Sequence, residues 1–311
     1  MRNNENDLDF FSREFQSLEI NSISNQIKEK GYFAFSKAIN EEAINRIHQD
    51  ATQFKLNLNN NNIRGVYTDN QYFLTNLLSV SKKFYNFVSS QIVFDICKIH
   101  LGTKFRLKAL RYYETYGRHK MQWHTDNKTD QEFSHIPGLI FIFYISDVED
   151  GQFQYLEGSH LWSGKKAYNN YTDEYVQKNH KDKIKDFKMP SGSLIIYNTY
   201  GVHRAKPVFN KSFVRKSVFF QVDSEINNSE PIILNTEFIT KVNDDIKMFF
   251  GFGHRSNYEV YPKTSINSLP LTKKILKILI KYILQRFLKS CKSLIPKKIK
   301  KILKNFSISQ N

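Results

Sequence analysis

The sequence predicts an α+β fold in which N-terminal helices precede a double-stranded β-helix core of the jelly-roll, cupin-like type. Helical hydrophobic spacing dominates the first third of the chain, a run of short strands separated by glycine and proline follows, and a basic amphipathic segment ends the chain. Helices followed by clustered short strands indicate an α+β chain whose β part is a sandwich or barrel. A jelly roll satisfies that pattern.

Length and composition indicate a folded protein with a sizeable core. The chain has 311 residues, of which 40% are hydrophobic and 14% aromatic, which excludes a disordered chain. The two cysteines, Cys97 and Cys291, are far apart and suggest no disulfide framework. Because the N-terminus also shows no secretory-signal pattern, we expect a cytoplasmic protein.

The net charge of +16 is concentrated in one part of the chain. Residues 263–311 contain 13 of the 46 lysines and arginines and none of the 30 acidic residues, so the preceding chain is close to neutral. Nucleic-acid binding requires clustered basic residues, and we therefore expect no nucleic-acid partner. The pattern divides the chain into a polar N-terminal segment (1–17), a globular domain (18–262) and a tail (263–311).

Three helices are predicted before most of the strands. The first spans residues 18–30 and is followed by a short strand at 32–35. The second runs from an N-cap at Asn40 to about Phe54, with Glu41 and Glu42 in the first turn, where they complement the helix dipole. The third covers residues 82–101, whose apolar side chains recur at helical spacing and predict a buried face.

The hydrophobic period changes to alternation after residue 104. Residues 105–113 alternate as a strand with one polar face, and the apolar run at 137–145 predicts a strand buried on both faces. Further short strands are predicted at 120–123, 152–155, 193–197, 202–205 and 213–222.

A histidine and an aspartate lie two residues apart where the strand 120–123 ends. On a strand, residues i and i+2 project from the same face, so His124 and Asp126 can bind one metal ion together. A further histidine would complete the two-histidine, one-carboxylate ligand set of non-haem Fe(II) oxygenases, which leaves positions open on the metal. His203, which follows a turn and a buried strand, is the candidate.

Two other His-x-Asp pairs lack the required geometry. His48 and Asp50 lie in a predicted helix, where such residues do not face each other. His180 and Asp182 lie in the charged run 178–188, expected to be a solvated loop or a short helix and too close in sequence to His203 for intervening strands.

A candidate anion anchor follows His203 by about a dozen residues. Arg215 and Ser217 lie two residues apart in the strand 213–222 and therefore share a face. A guanidinium group makes two parallel hydrogen bonds to a carboxylate, and a neighbouring hydroxyl can add a third. This pair could anchor a dicarboxylate co-substrate.

The ordered set of His124-Thr125-Asp126, His203-Arg204 and Arg215 resembles the phytanoyl-CoA dioxygenase family of Fe(II)/2-oxoglutarate-dependent oxygenases. The resemblance extends from about residue 20 to residue 223 and implies a jelly-roll oxygenase domain. It further implies ferrous iron on His124, Asp126 and His203, with 2-oxoglutarate chelating the iron and its distal carboxylate on Arg215. Shared turns are Gly31-Tyr32-Phe33, Gly158-Ser159-His160 and Gly192-Ser193-Leu194; the usual proline before Gly-Ser-His is Glu157 here, a departure expected to affect a loop.

Other residues are weaker candidates. Tyr113, Gln122 and Tyr144 could donate hydrogen bonds to 2-oxoglutarate from neighbouring strands, although each could equally be a packing residue. His160 and His135 are interpreted as shaping the mouth of the site rather than binding metal.

The resemblance implies a dioxygenase that uses Fe(II), 2-oxoglutarate and O₂ to hydroxylate an unactivated C–H bond of a small-molecule, lipid-linked or glycan-type substrate. Related halogenases lack the carboxylate ligand, so Asp126 points to hydroxylation. The same cofactors also support desaturation, epimerisation or ring formation, which product analysis would distinguish. A non-catalytic jelly-roll binding protein is the alternative from a different class, and nucleic-acid demethylation is disfavoured by the nearly neutral domain.

The tail, which the resemblance does not cover, has the pattern of a basic amphipathic helix. A second basic segment follows Pro296 and ends at Phe306, and no apolar run is long enough to span a bilayer. The tail could pack on the core, attach peripherally to the inner face of a membrane, or bind a partner protein or nucleic acid. One side of a helical projection carries Leu271, Ile275, Ile278, Leu279 and Tyr282, and the other carries Lys273, Lys274, Lys277 and Lys281.

Overall fold

The computed structural model describes residues 10–53, 65–68, 70–117, 121–126, 136–164, 170–210, 212–227, 229–240, 242–256 and 273–294. The chain divides into two compact units, Met1–Ser268 and Leu269–Asn311. The first unit carries all of the described strands and most of the described helices, and the second carries one long helix.

The helices of the first unit lie mostly before the strands, as predicted. They are α1 (Arg13–Gln16), α2 (Ile20–Lys30), α3 (Glu41–Thr52), α4 (Leu77–Val80), α5 (Lys82–Val88), α6 (Gln91–Leu101), α7 (Asp173–Asn179) and α8 (Asp244–Phe249), with short 3₁₀ turns at Ser159–Leu161, Lys181–Lys183 and Thr236–Phe238.

Two details of the predicted helices differ in the structure. Asn40 occupies the N-cap position of α3, but its side chain donates to the carbonyl of Phe11 instead of capping the helix. The single helix predicted at 82–101 is two helices, because the Ser90 side chain accepts a hydrogen bond from the Val93 amide and starts α6 anew. A serine that caps a new helix interrupts the old one.

The strands form two antiparallel sheets, which confirms the predicted jelly-roll core. The strands are β1 (Tyr32–Phe35), β2 (Gly65–Thr68), β3 (Gln71–Leu74), β4 (Arg106–Thr115), β5 (Trp123–His124), β6 (Gly138–Tyr144), β7 (Phe153–Leu156), β8 (Asn170–Tyr171), β9 (Ile184–Phe187), β10 (Leu194–Asn198), β11 (His203–Ala205) and β12 (Arg215–Asp223). The large sheet has the order β1-β10-β6-β12-β4-β3-β2, and the small sheet has the order β8-β5-β11-β7-β9.

The prediction for the charged run 178–188 was wrong in part. It ends in the edge strand β9, which pairs with β7, and both β9 and β10 intervene before His203. The strand was not predicted because Lys185 and Asp186 interrupt its apolar pattern, and such charged residues are common in edge strands. The hairpin of β2 and β3 was also not predicted.

The two sheets enclose an aromatic core. Residues from the facing sheets, among them Tyr144, Phe153, Tyr155 and Tyr197, form one buried cluster. Phe10, Phe11 and Phe15 are also almost fully buried, and the ring of Phe10 stacks on that of Phe87 at a centroid distance of 4.4 Å. The packed fold therefore begins before residue 18, the predicted start of the globular domain.

Gly31 joins α2 to β1 at a point where backbone and core meet closely. Its φ of +87° and ψ of −4° lie in the left-handed region, and a Cβ atom there would meet the Tyr155 hydroxyl and the His160 ring. Gly158 has nearly the same backbone conformation, φ +75° and ψ −3°, but a Cβ atom there would meet open space.

The long helix of the second unit is α9 (Lys273–Leu294). Its exposed apolar side chains include Leu276, Ile280, Ile283 and Phe287, spaced by four, three and four residues and therefore on one side of the helix. This stripe differs from the predicted apolar side, of which Ile278 and Leu279 are half-buried and Leu271 lies outside the described residues. A search of the described helices found none with the length and apolarity that crossing a membrane requires.

The paired glycines allow a stability prediction. Gly31→Ala and Gly158→Ala should each lower the free energy of unfolding by about 1–2 kcal/mol, because alanine is strained at positive φ. Gly31→Ala should lower it by about 1–3 kcal/mol more, because the added methyl group displaces Tyr155 and His160. Urea denaturation of both variants measures the difference. Equal decreases in unfolding free energy would show that the close contacts at Gly31 do not add to the destabilisation.

Candidate metal centre

The pairing of β5 with β11 brings two histidines together. His124 and His203 are direct partners in the antiparallel register, and their ring centroids are 4.5 Å apart. Asp126 follows β5, with its backbone amide donating to the carbonyl of Thr199 at 3.2 Å. One potential ligand atom from each of the three side chains lies within 4.8 Å of the others.

Backbone hydrogen bonds orient both imidazole rings in the same way. Nδ1 of His124 lies 2.8 Å from the carbonyl oxygen of Gln122, and Nδ1 of His203 lies 3.0 Å from that of Gly201. A carbonyl only accepts, so each Nδ1 carries the proton and each Nε2 presents its lone pair. The Nε2 atoms face Asp126, at 3.8 Å from Oδ1 for His124 and 3.1 Å from Oδ2 for His203.

The electrostatic environment favours a neutral His124 and an ionised Asp126. Burial, followed by the neighbouring His203, lowers the pKa of His124. Burial alone would raise the pKa of Asp126, but its neighbours His203, His124 and Tyr197 outweigh burial and lower that pKa. Two imidazoles and one carboxylate fit a divalent first-row metal ion such as Fe(II).

Tyr197 on β10 completes the surroundings of the carboxylate. Its hydroxyl donates to Oδ2 of Asp126 at 3.3 Å and lies 3.3 Å from Nε2 of His203. Sequence analysis missed this residue, although its position on the inward face of a predicted strand six residues before His203 was a usable signal. A hydrogen bond of this kind orients a metal-binding carboxylate.

The three side chains lie at the wall of a cavity of about 550 Å³ between the sheets. This volume lies in the range of about 300–1,000 Å³ that is usual for small-molecule sites. The other lining residues are Gln71, Phe73, Arg111, Tyr113, Met121, Ile142, Tyr144, Phe153, Tyr197, Ala205, Arg215, Ser217, Phe219 and Glu230.

Arg215 presents a buried guanidinium group to this cavity. It is 7% exposed, donates to the carbonyl of Gly151 and to Oγ1 of Thr115, and its Nε has no hydrogen-bond partner. Within the described part of the chain, no carboxylate lies close enough to pair with it. An uncompensated buried charge is costly, so the arrangement fits an anionic ligand that enters the cavity.

The other predicted 2-oxoglutarate contacts divide into two groups. Ser217 and Tyr113 are direct partners on β12 and β4, and both line the cavity. Tyr144 lines it too, but its single hydroxyl hydrogen is donated to the carbonyl of Phe187 at 3.0 Å, which favours the alternative of a packing residue. The Gln122 side chain is exposed and does not line the cavity. Its backbone carbonyl, by contrast, contacts the ring of His124.

The other candidate histidines that the structure describes lie away from this site. Nε2 of His160 lies 2.9 Å from the carbonyl of Lys28, in keeping with a structural role. Nδ1 of His48 lies 2.9 Å from the Tyr112 hydroxyl, and the ring of His180 packs on Trp162. His135 lies outside the described residues.

Arg111 and Glu230 are cavity residues that sequence analysis did not single out. Arg111 lies in the predicted strand 105–113, on the same face as Leu107 and Ala109, and no partner was predicted for it. Glu230 lies in an irregular segment after β12, where no periodicity marks its direction. Only the folded chain brings the two side chains together.

Comparisons with known proteins agree with this arrangement. The family model described as phytanoyl-CoA dioxygenase (PhyH) matches residues 27–217. A comparison with curated proteins found no match.

Two solved structures are similar to this chain at low identity. The non-haem α-ketoglutarate-dependent carbocyclase SnoK from nogalamycin biosynthesis is 14% identical, with a TM-score of 0.52, over 72% of this chain and 90% of that one. HygX from Streptomyces hygroscopicus, solved with nickel and 2-oxoglutarate, is 14% identical with a TM-score of 0.49, over 67% and 87% of the two chains.

The geometry generates a prediction about metal binding. His124→Ala, Asp126→Ala and His203→Ala should each weaken the binding of Ni(II), measured by calorimetry, by more than about 100-fold, since loss of a residue that merely supports a ligand costs about 10–100-fold. His160→Ala is the matched control and should retain the affinity. Wild-type affinity in any of the first three variants would remove that residue from the ligand set.

Proposed function

Because this chain belongs to the phytanoyl-CoA dioxygenase family and is a 2-oxoglutarate-dependent oxygenase that uses iron and O₂, we propose that it hydroxylates a C–H bond of a small molecule held in the cavity between its sheets. The observation that carries the proposal is the convergence of His124, Asp126 and His203 beside the uncompensated guanidinium of Arg215.

His124, Asp126 and His203 would hold the ferrous ion. When bound with 2-oxoglutarate and O₂, iron supplies the oxidant that converts C–H to C–OH, while 2-oxoglutarate loses CO₂ and becomes succinate. The chain contributes the two imidazole lone pairs and an ionised carboxylate, held in place before metal arrives by the carbonyls of Gln122 and Gly201.

Arg215 would bind the distal carboxylate of 2-oxoglutarate, with the neighbouring Ser217 hydroxyl as a further donor. Tyr113 stands beside Ser217 and would contribute its ring and hydroxyl to the same end of the cavity. An anchor at the far end would leave the keto acid of 2-oxoglutarate free to chelate the metal that His124, Asp126 and His203 would hold. 2-Oxoglutarate would then be held by a bidentate anchor at one end and by metal chelation at the other.

Aromatic and aliphatic side chains form much of the remaining wall. Phe153 packs 5.5 Å from the ring of His203, and Ile142 and Phe219 are neighbours on β6 and β12. These side chains exclude water from the metal side of the cavity and position the substrate, which is what the protein must supply when the cofactors perform the oxidation.

The anchor can be tested separately from the metal ligands. Arg215→Ala should weaken 2-oxoglutarate binding by about 2–4 kcal/mol while leaving the affinity for Ni(II) intact, because a charge-assisted bidentate contact is lost. Calorimetric titration of 2-oxoglutarate into the Ni(II)-loaded protein measures this.

Arg204→Ala is the matched control for that experiment. Arg204 is equally buried, but it pairs with Asp173 at 2.8 Å and lies over the Trp123 ring, away from the cavity. Its replacement should leave 2-oxoglutarate affinity unchanged. Unchanged affinity in Arg215→Ala would move the anchor to another residue.

We further propose that the tail attaches the enzyme to the inner face of a membrane. The supporting observation is the exposed apolar stripe of α9, where Ile283 is 62% and Phe287 is 64% exposed. Residues 263–311 carry 13 basic and no acidic side chains. A helix with an apolar stripe and basic flanks suits an anionic lipid surface, where each lysine contributes about 1 kcal/mol.

Vesicle sedimentation tests the tail. Full-length protein should pellet with vesicles of phosphatidylglycerol and phosphatidylcholine at low salt and be released as salt rises, because the attraction is screened. Protein lacking residues 271–311 should stay in solution while retaining Ni(II) and 2-oxoglutarate binding. Equal sedimentation of both forms would exclude the tail as the anchor.

A pair of isoleucines provides the matched control. Ile283→Ser removes a side chain from the exposed stripe and should reduce sedimentation, whereas Ile278→Ser changes a half-buried position outside the stripe and should not. Equal effects would contradict the proposed membrane-facing side.

A further inference from the structure

A second pair of charges lines the same cavity. Nη2 of Arg111 donates to Oε1 of Glu230, and both side chains are largely buried, at 15% and 22% exposure. The backbone amide of Glu230 donates to the carbonyl of Lys108 at 2.8 Å, which holds its irregular segment along β4. The pair is therefore part of the cavity wall.

The position of this pair separates it from the proposed 2-oxoglutarate anchor. On β4, Arg111 lies four residues from Thr115, the register partner of Arg215. Four residues of strand span about 13 Å. Arg111 has Glu230 as a carboxylate partner, whereas Arg215 has none among the described residues, so the two arginines suit different ligands.

Aromatic rings lie beside the charged pair. Phe219 is the direct register partner of Arg111, and the guanidinium carbon lies 5.6 Å from the centre of its ring. Tyr113 packs edge-on against both Phe219 and Phe73, at centroid distances of 5.9 and 4.8 Å. Apolar ring faces next to a hydrogen-bonding acid and base suit a compact molecule with both apolar C–H faces and polar edges.

The formal charges of the loaded cavity balance without the substrate. The charged side chains that line it are Asp126, Arg215, Arg111 and Glu230. Ferrous iron and Arg215 together offset Asp126 and the two carboxylates of 2-oxoglutarate, and Arg111 offsets Glu230. A charged substrate would add a buried charge without a partner, which is costly.

We infer that the substrate is an uncharged polyhydroxylated ring compound, of the sugar or cyclitol class, bound through Arg111 and Glu230. Neighbouring hydroxyl groups of such a ring accept from the guanidinium group and donate to the carboxylate, while its C–H face packs on Phe219 or Tyr113. The inference rests on the proposed function, because the charge balance includes iron and 2-oxoglutarate.

A small panel of compounds tests the inference on the full-length protein loaded with Ni(II) and 2-oxoglutarate. Binding of methyl β-glucoside and myo-inositol (neutral), glucosamine (cationic) and glucuronate (anionic) is compared by saturation-transfer NMR. The neutral compounds should bind at least about tenfold more tightly than the charged ones, since an unpaired buried charge costs more than one hydrogen bond contributes. Equal or tighter binding of a charged compound would overturn the inference.

Two variants shift the charge of the pair in opposite directions. Glu230→Gln leaves Arg111 unpaired and should turn the preference toward glucuronate, whereas Arg111→Gln should turn it toward glucosamine. Asp245→Asn, in the exposed ion pair with Lys98, is the matched control and should leave the order unchanged. An unchanged order in both cavity variants would contradict recognition by this pair, and the wild-type panel decides the substrate class even where a variant fails to fold.

Failure of this inference is distinguishable from failure of the proposed function. Calorimetry on the wild-type protein first establishes whether Ni(II) and 2-oxoglutarate bind. If they do not, both proposals are overturned. If they bind and the neutral compounds do not, the oxygenase proposal stands and the sugar or cyclitol class is excluded.

Discussion

The antiparallel pairing of β5 with β11 is the constraint on which the site depends. Its register sets His124 opposite His203, and the chain that continues from β5 carries Asp126 to the same side. Each ring is then held by the carbonyl two residues before it, so both imidazoles present Nε2 to the cavity. The backbone therefore sets the arrangement of the proposed metal ligands, and the Tyr197 hydroxyl helps to orient the carboxylate.

Charge compensation explains why the cavity is arranged as it is. Arg215 is buried without a carboxylate partner among the described residues, whereas Arg111 has Glu230. The first arrangement is costly in the free protein and favours an incoming dianion, and the second is already balanced and favours a neutral ligand. The different roles that we propose for these two arginines on adjacent strands follow from the difference in their partners.

The nearly neutral globular domain and the basic tail differ in where their large apolar side chains lie. In the body, buried aromatic side chains from both sheets fix the cavity walls, and Gly31 allows the first strand to approach Tyr155 and His160. In the tail, α9 keeps a row of large apolar side chains exposed beside lysines. Exposed apolar rows of this kind are typical of interaction surfaces, and we propose a membrane as the partner.

The sequence by itself determined the family, the jelly-roll class and the spacing of His124, Asp126, His203 and Arg215, because strand periodicity and short motifs are local properties. Most strands were predicted within two residues for the same reason. Only the tertiary structure decided that the Tyr144 hydroxyl donates its hydrogen bond to the Phe187 carbonyl, that the Gln122 side chain faces solvent, and that residues 184–187 form an edge strand. It also joined Arg111 to Glu230 across more than a hundred residues, since partners that meet through sheet register and an irregular segment leave no periodic signal in the chain.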